Sequence, residues 1–450
     1  MRTLARRLAE YASEVSFSAL APATVHEVKR RVLDSLGCVY GAFDSEVARI
    51  VRGVALATSG RPGAGVLGTD GIAEPSFAAF ANGAMVRYLD FNDTYLSLEP
   101  AHPSDNIPAC LAAAEVAGSG GEELIAAIAL AYEVQCRLCD AGSIRARGWD
   151  HVTYGCLSAA LGAGKLLGLT ADRLEQAVNL AGVNAAALRQ TRVGQLSMWK
   201  GCAFANAARQ GVFAATLAAA GLTGPSEIFE GPMGFFQQVS GPLELAVEDW
   251  GPPSMINRTS IKFWPAEYHS QSAIDAALQL RPRVGDPARI SAIRIHSFDA
   301  AVDIIGSEPE KWRPTSRETA DHSMPYCVAV ALLDGQVGLE QFAPERIVRD
   351  DVRALMDRIS IVRDAALTAR YPQGIPNRLE VTTEDGVTHE LEVTYPRGHA
   401  QNPMRDSEVS AKYRSLAEPK LGPERARALE ELVWRLEAET PRALLGAAKV

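Results

Sequence analysis

Two stretches of this 450-residue chain are built almost entirely from small side chains: GCLSAALGAGKLLG at 155–168 and AFANAARQGVFAATLAAAG at 203–221. A helix surfaced with Ala and Gly lets a neighbouring backbone approach closely, so both segments belong inside a helical bundle. The surrounding sequence agrees. Between His26 and Phe43, the residues Val28, Val32, Leu36, Val39 and Phe43 fall on one stripe at the 3.6-residue period, and Leu124, Ile125, Ile128, Tyr132, Gln135 and Leu138 do the same within 121–141. Further helices are expected at 106–117, 155–168, 172–187 and 203–221. To about residue 250, the chain reads as helices joined by short Gly/Pro loops.

The pattern changes after Gly251-Pro252-Pro253. A helix at 266–281 is expected to lead into RISAIRIHSF, where Ile293 and Ile295 alternate with Arg294 and His296 as in a half-buried strand. A helix at 319–334 and a strand at Ile359–Arg363 follow. RLEVTTEDGVTHELEVTY then sets two alternating runs around Asp385-Gly386, a hairpin by turn type. The last fifty residues return to helix, in SEVSAKYRSLAE and PERARALEELVWRLEAE. The expected fold is mainly α: a large all-helical domain (1–256 plus 401–450) with a smaller inserted α+β domain (257–400).

Charge and motif content exclude several function classes. Lys+Arg 45 against Asp+Glu 54 gives a formal charge of −9, which offers no overall attraction to nucleic acid. No apolar run approaches the ~18 residues of a membrane span, and the N-terminal MRTLARRLAEYASEV lacks a signal-like apolar core. Seven cysteines, an odd and sparse set, fit reduced thiols, and a cytoplasmic location is expected. Gly63-Ala-Gly65-Val-Leu-Gly68 matches G-x-G-x-x-G by letter, but turn-like TSGRP and TDGIAEP flank it, so it reads as a connection. GAGK at 162–165 lies within a helical pattern and lacks the following Ser/Thr of a phosphate loop. Cys136 and Cys139 have no second pair at zinc spacing and read as core thiols. There is no H-E-x-x-H, G-x-S-x-G or calcium-loop pattern.

Five segments place ionisable residues in stretches otherwise poor in charge: Tyr88–Thr94, His102–Asn106, Trp149–His151, Met198–Gly201 and Ile261–Pro265. His102, His151, Lys200 and Lys262 each stand just before an expected helix start, marked by Ser104/Asp105, Gly155, Cys202 and Pro265. A cation is unfavourable beside a helix N-terminus unless an anion lies between them. Several such ends together would suit a di- or tricarboxylate. Taken singly, each residue has an ordinary reading as a surface lysine, a structural histidine or a capping aspartate.

LDFNDTYLSLEPAHPSDNIPACLAAAE, GWDHVTYGCLSAALGAGKLLGL, LSMWKGCAFANAARQGVFAATLAAAGLTGP, IKFWPAEYHSQSAIDAAL and DHSMPYCVAVALLDG together resemble the signature blocks of the MmgE/PrpD family, over nearly the whole chain. That family includes 2-methylcitrate dehydratases, cis-aconitate decarboxylases and an iminodisuccinate epimerase. The resemblance implies a homodimer in which each subunit has a helical domain and a smaller α+β lid. It implies no metal or organic cofactor and no nucleic-acid or membrane partner. Its pocket residues carry over to Asp93, His102, His151, Lys200 and Lys262 as the catalytic set. Asp90, Thr94, Asp105 and Asn106, from the same segments, are expected to bind substrate, as are His322 and Tyr326 of DHSMPY.

The chemistry common to such enzymes is a carbanion-like centre beside a carboxylate, whose charge needs fixed cations or N–H donors. Lys200 and Lys262 are assigned that work. His151 is assigned as base and His102 as acid, oriented by Asp93 or Asp105, although the two labels can be exchanged. The leading reading is dehydration of a citrate-like hydroxy polycarboxylate. Decarboxylation, epimerisation and a non-catalytic binding role are the alternatives.

Overall fold

In the computed structural model, residues 2–58 and 60–450 are described. Met1, at the head of the N-terminal segment, and Ser59, within the turn-like TSGRP, lie outside the described residues. The fold is mainly α. The chain forms two compact units, one of Met1–Arg192, Met198–Thr259 and Arg405–Val450, the other of Val193–Ser197 and Ser260–Met404.

The first unit is a bundle whose long members include Pro22–Ala42, Pro75–Arg87, Ile107–Ala117, Gly121–Ala141, Val152–Leu166, Ala171–Asn184 and Trp199–Ala219. Val152–Leu166 is buried at every position except Lys165, the state expected of a helix without a polar face. It packs against Trp199–Ala219, and the small residues explain how. A Cβ on Gly211 would lie 2.8 Å from both the Ala159 Cβ and the Ala160 amide nitrogen, and one on Gly155 would strike the Phe204 ring at 2.2 Å. The C-terminal helix Asp406–Leu421 returns to this unit and packs on Pro22–Ala42. There the Lys412 Nζ meets Asp34 Oδ1 at 2.6 Å and donates to the Phe91 carbonyl at 2.6 Å.

The second unit holds a four-stranded sheet: β1 (Ile290–Ser297), β2 (Ile359–Arg363), β3 (Asn377–Thr383) and β4 (Thr388–Val393), in the order β2-β1-β3-β4. β1 and β2 are parallel, and the other pairings are antiparallel. β3 alternates buried and half-buried residues along its length, the period-2 pattern that its sequence announces. The β3–β4 hairpin turns at Asp385-Gly386, where Gly386 takes φ 80°, a conformation that glycine adopts without a Cβ penalty. Gln271–Val284 packs on β3 and β4.

Several boundaries differ from the sequence expectation. The helix placed at 266–281 begins at Gln271, after a short turn at Tyr268–Ser270, and runs to Val284. The segment 319–334 is broken: Ser323 caps Tyr326 N, and Pro325 sits in the first turn of a new helix, Met324–Asp334. The helix expected over PERARALEELVWRLEAE stops at Trp434, and a further short helix, Pro441–Ala447, follows it. The G-x-G-x-x-G stretch contributes Ala64–Gly65 to a two-residue pairing with Ile72–Ala73. The GAGK residues lie within Val152–Leu166, and all seven cysteines are buried free thiols. Among the described residues, no helix is long and apolar enough to cross a membrane.

The tight helix contact gives a direct test. Gly211→Val inserts three carbons where a single one already collides with main chain, so unfolding in urea is expected to show a loss of ~2 kcal/mol or more, against a gain of up to ~1 kcal/mol for Gly53→Ala, a helical position that faces open space.

Candidate active site

In the first unit the site begins at the end of Pro75–Arg87, a helix whose only charged side chain is Arg87. Arg87 is 2% exposed. Asp90 adopts a left-handed φ of 51°, and its Oδ1 accepts from Arg87 Nη1 at 2.5 Å. Lys200 Nζ stands 3.6 Å from Asp90 Oδ2. Arg87 Nη2 also lies 3.1 Å from His102 Nε2, while His102 Nδ1 lies 2.7 Å from the Asp93 carbonyl oxygen. A guanidinium can only donate, so Nε2 is the acceptor and the imidazole proton sits on Nδ1, donating to the carbonyl.

His151 stands beside this pair, its ring centroid 5.7 Å from that of His102 and its plane at 63°. It occupies the N-cap position of Val152–Leu166, three residues earlier than its sequence marker suggests. Its Nδ1 is 3.1 Å from Asp150 Oδ1, an ion-pair separation, and neither ring nitrogen makes a hydrogen bond among the described residues. Burial holds its pKa down at about 3; Asp150 works against this, and Arg192, Arg87 and Arg189 reinforce it. His151 is therefore a neutral imidazole at neutral pH. Asp150 stays ionised: burial would raise its pKa, but Arg192, its Nε 2.9 Å from Oδ2, outweighs that. Arg192 also reaches the Lys200 carbonyl at 3.3 Å, tying the first turn of Trp199–Ala219 to the same cluster.

Other expected residues occupy different places. The Asp93 carboxylate turns into the core, accepting from Ser104 N at 2.9 Å and the Tyr132 hydroxyl at 2.7 Å, with Arg31 Nε at 3.5 Å. It is thus the main-chain carbonyl of Asp93, not its side chain, that orients His102. Asp105 is buried, accepts from Asn92 at 2.7 Å and lies 3.8 Å from Arg87 Nε; burial pushes its pKa up to about 8 in spite of Arg87. Asn106 spends its amide on Pro103 O, Gln135 and the Ser158 hydroxyl, and Thr94 donates to Ala101 O. Both are framework contacts. Lys200 sits inside the first helical turn, not before it.

Lys262, His322 and Tyr326 belong to the second unit. Lys262 is buried but lies nine residues ahead of Gln271, so it marks no helix start. His322 Nδ1 is 2.7 Å from Asp321 Oδ1. Tyr326 is core: its ring packs on Phe342 and its hydroxyl donates to the Gln341 carbonyl.

The sequence reading missed Arg87, Asp150 and Arg192 as members of the cluster. Arg87 had a usable signal, a lone charge in an Ala-rich helix, one residue before the segment singled out at Tyr88. Arg192 had none, since it lies in a short turn, Arg189–Arg192, without periodicity.

Comparison with known proteins agrees with this architecture. Residues 6–248 match the MmgE/PrpD N-terminal domain and residues 264–438 the MmgE/PrpD C-terminal domain. The chain is 34% identical over 395 residues to a 2-methylcitrate dehydratase of Cupriavidus necator, covering 82% of this chain and 80% of that protein. It is 31% identical to the 2-methylcitrate dehydratase of Escherichia coli (strain K12), covering 82% and 81%. It is 28% identical to a fungal alkylcitrate dehydratase, covering 87% and 83%. These relatives are by name hydro-lyases. With both domain matches in sequence order and spanning most of its length, the chain belongs to the MmgE/PrpD family.

Proposed function

We propose that this chain is a hydro-lyase that removes water from a citrate-like hydroxy polycarboxylate. The observation that carries the reading is the His102–His151 pair flanked by the buried cations Arg87 and Lys200. The names of its relatives point to 2-methylcitrate or a longer alkylcitrate as the ligand class.

In this reading His151 takes the carbon-bound proton through an imidazole nitrogen that no hydrogen bond occupies. Its low pKa belongs to the free protein. A polycarboxylate brought against the ring supplies negative charge that offsets the desolvation and raises the basicity of the imidazole, so substrate binding and base strength are coupled. As the proton leaves, charge accumulates on the adjacent carboxylate, where the Lys200 ammonium and Arg87 guanidinium stabilise it. Those fixed cations perform the work that a Lewis acid would otherwise do. His102 holds its proton on Nδ1 against a carbonyl, so in the free protein its Nε2 can receive a proton but has none to give.

Purified protein incubated with 2-methylcitrate, citrate, cis-aconitate and iminodisuccinate separates the readings. Alkene absorbance without carbon dioxide is the expected result; gas release would replace dehydration by decarboxylation, and interconversion of stereoisomers would replace it by epimerisation. His151→Ala and Lys200→Ala are each expected to lower kcat/KM by ~10²–10⁴-fold with unchanged circular dichroism. Near-wild-type rates in both would refute the assignment.

The buried imidazole also has a stability signature. The folded pKa of His151, about 3, lies below the ~6.5 of an unfolded chain, so its contribution is complete above pH 6.5 and is lost as pH falls toward 3. Between pH 6.5 and 4, the stability of His151→Gln is expected to fall less steeply than that of the wild type. Parallel slopes in urea titrations would contradict a desolvated His151.

A further inference from the structure

The segment that carries Asp90 and Asp93 is gripped by a lysine from the far end of the chain, to which the reading above gives no role. Lys412 donates to the Phe91 carbonyl at 2.6 Å across 321 positions of sequence, and its ammonium lies 3.8 Å from the centre of the Phe91 ring. Asp34 also holds the ammonium, with its Oδ1 at 2.6 Å. Asp34 is 1% exposed and Lys412 8%. Three residues before Asp34, on the same face of Pro22–Ala42, Arg31 donates to the Thr259 carbonyl and stands 3.5 Å from Asp93 Oδ2. All of these groups lie in the first unit, together with Arg87, His102, His151 and Lys200.

Phe91 stands between the two residues whose orientation the cluster needs. Asp90, one residue earlier, takes a left-handed φ of 51° and turns its carboxylate to Arg87 and Lys200. A non-glycine residue keeps such a conformation only where its surroundings hold it. Asp93, two residues later, turns its carbonyl to His102 Nδ1. Fixing the Phe91 carbonyl fixes the plane of the peptide that joins these two halves. Packing alone does not call for a charge here. A buried ion pair roughly breaks even against apolar side chains of the same volume, so what the ammonium adds is direction rather than stability.

We propose that Lys412 is a positioning residue of the candidate active site: seated on Asp34, it fixes the Phe91 carbonyl, and so the backbone that aims the Asp90 carboxylate and the Asp93 carbonyl. The proposal rests on the hydro-lyase reading and deepens it. Lys412 acts through Asp90, which pairs Arg87 and Lys200, and through Asp93, which orients the ring of His102. Without the ammonium, the peptide after Phe91 is free to turn and Asp90 leaves its left-handed conformation. Arg87 then loses the pairing that directs it at His102.

The test separates direction from stability. Lys412→Met keeps most of the side-chain length and removes the ammonium, leaving the Asp34 carboxyl buried without that partner. It is expected to unfold at lower urea than the wild type and to lower kcat by about 10²-fold, with a smaller change in KM. Lys412→Met combined with Asp34→Leu leaves no carboxyl at that position. The double variant is expected to be more stable in urea than Lys412→Met alone, while its kcat stays down. Its His102 ¹⁵N shifts are expected to show a mixture of ring tautomers, where the wild type carries the proton on Nδ1. Recovery of full kcat along with stability would make Lys412 a packing residue and overturn the proposal, with the hydro-lyase reading intact. Unchanged His102 shifts, or a double variant no more stable than the single one, would overturn it as well. If the wild type dehydrates no hydroxy polycarboxylate, that reading fails, and the His102 shifts still decide whether Lys412 positions the ring.

Discussion

The candidate site depends on one buried guanidinium. Arg87 sits at the end of an otherwise uncharged helix and divides its N–H groups between the carboxylate of Asp90 and the ring of His102. A buried charge is tolerated only when it is paired and hydrogen-bonded, and the left-handed turn at Asp90 supplies that pairing three residues after the arginine. Because arginine donates and never accepts, the same contact dictates which nitrogen of His102 carries the proton. Asp93 secures the other side of the ring through its carbonyl, and its own carboxylate is fixed by Tyr132 and the Ser104 amide. The loop between residues 88 and 106 is thereby held by buried polar contacts.

Packing decides where those contacts can form. Glycine and alanine along Val152–Leu166 and Trp199–Ala219 bring two helices so close that a single added carbon collides with main chain. Their N-termini carry His151 and Lys200, and Arg192 links them by holding Asp150 with one edge and the Lys200 carbonyl with another. Dense packing also produces the electrostatics. Burial strips both groups of solvent exposure, so His151 loses its proton and Asp105 keeps its own near neutral pH, opposite shifts with the same cause, the cost of a buried charge.

Much of this was legible in the sequence, for identifiable reasons. The 3.6-residue stripes located the long helices, with Gly121–Ala141 correct to the residue, and the Asp385-Gly386 hairpin followed from alternation and turn type. Small-residue content located the innermost helices. The search for charges in uncharged surroundings found His102, His151, Lys200 and Asp90, which the fold brings together. It could not say which atom of a residue would act: Asp93 serves through its carbonyl, and Asn106 and Thr94 through framework bonds. Tyr326 shows the complementary error, since a tyrosine in a distinctive motif has the same letters whether its hydroxyl meets a ligand or a core carbonyl. Arg192 depends on contacts with Asp150 and Lys200 from other segments, which periodicity does not record.

The account stands on two imidazoles held differently, one by Arg87 and a carbonyl, the other kept neutral by burial that nearby arginines reinforce. The measurement that bears on this most directly is ¹⁵N NMR of histidine-labelled protein titrated from pH 8 to pH 4, with His102 and His151 assigned by substitution. His102 is expected to carry its proton on Nδ1 at pH 8, and His151 to remain neutral throughout, in keeping with a pKa of about 3. A His151 that titrates near 6.5, or a His102 protonated at Nε2 at pH 8, would contradict the central claim.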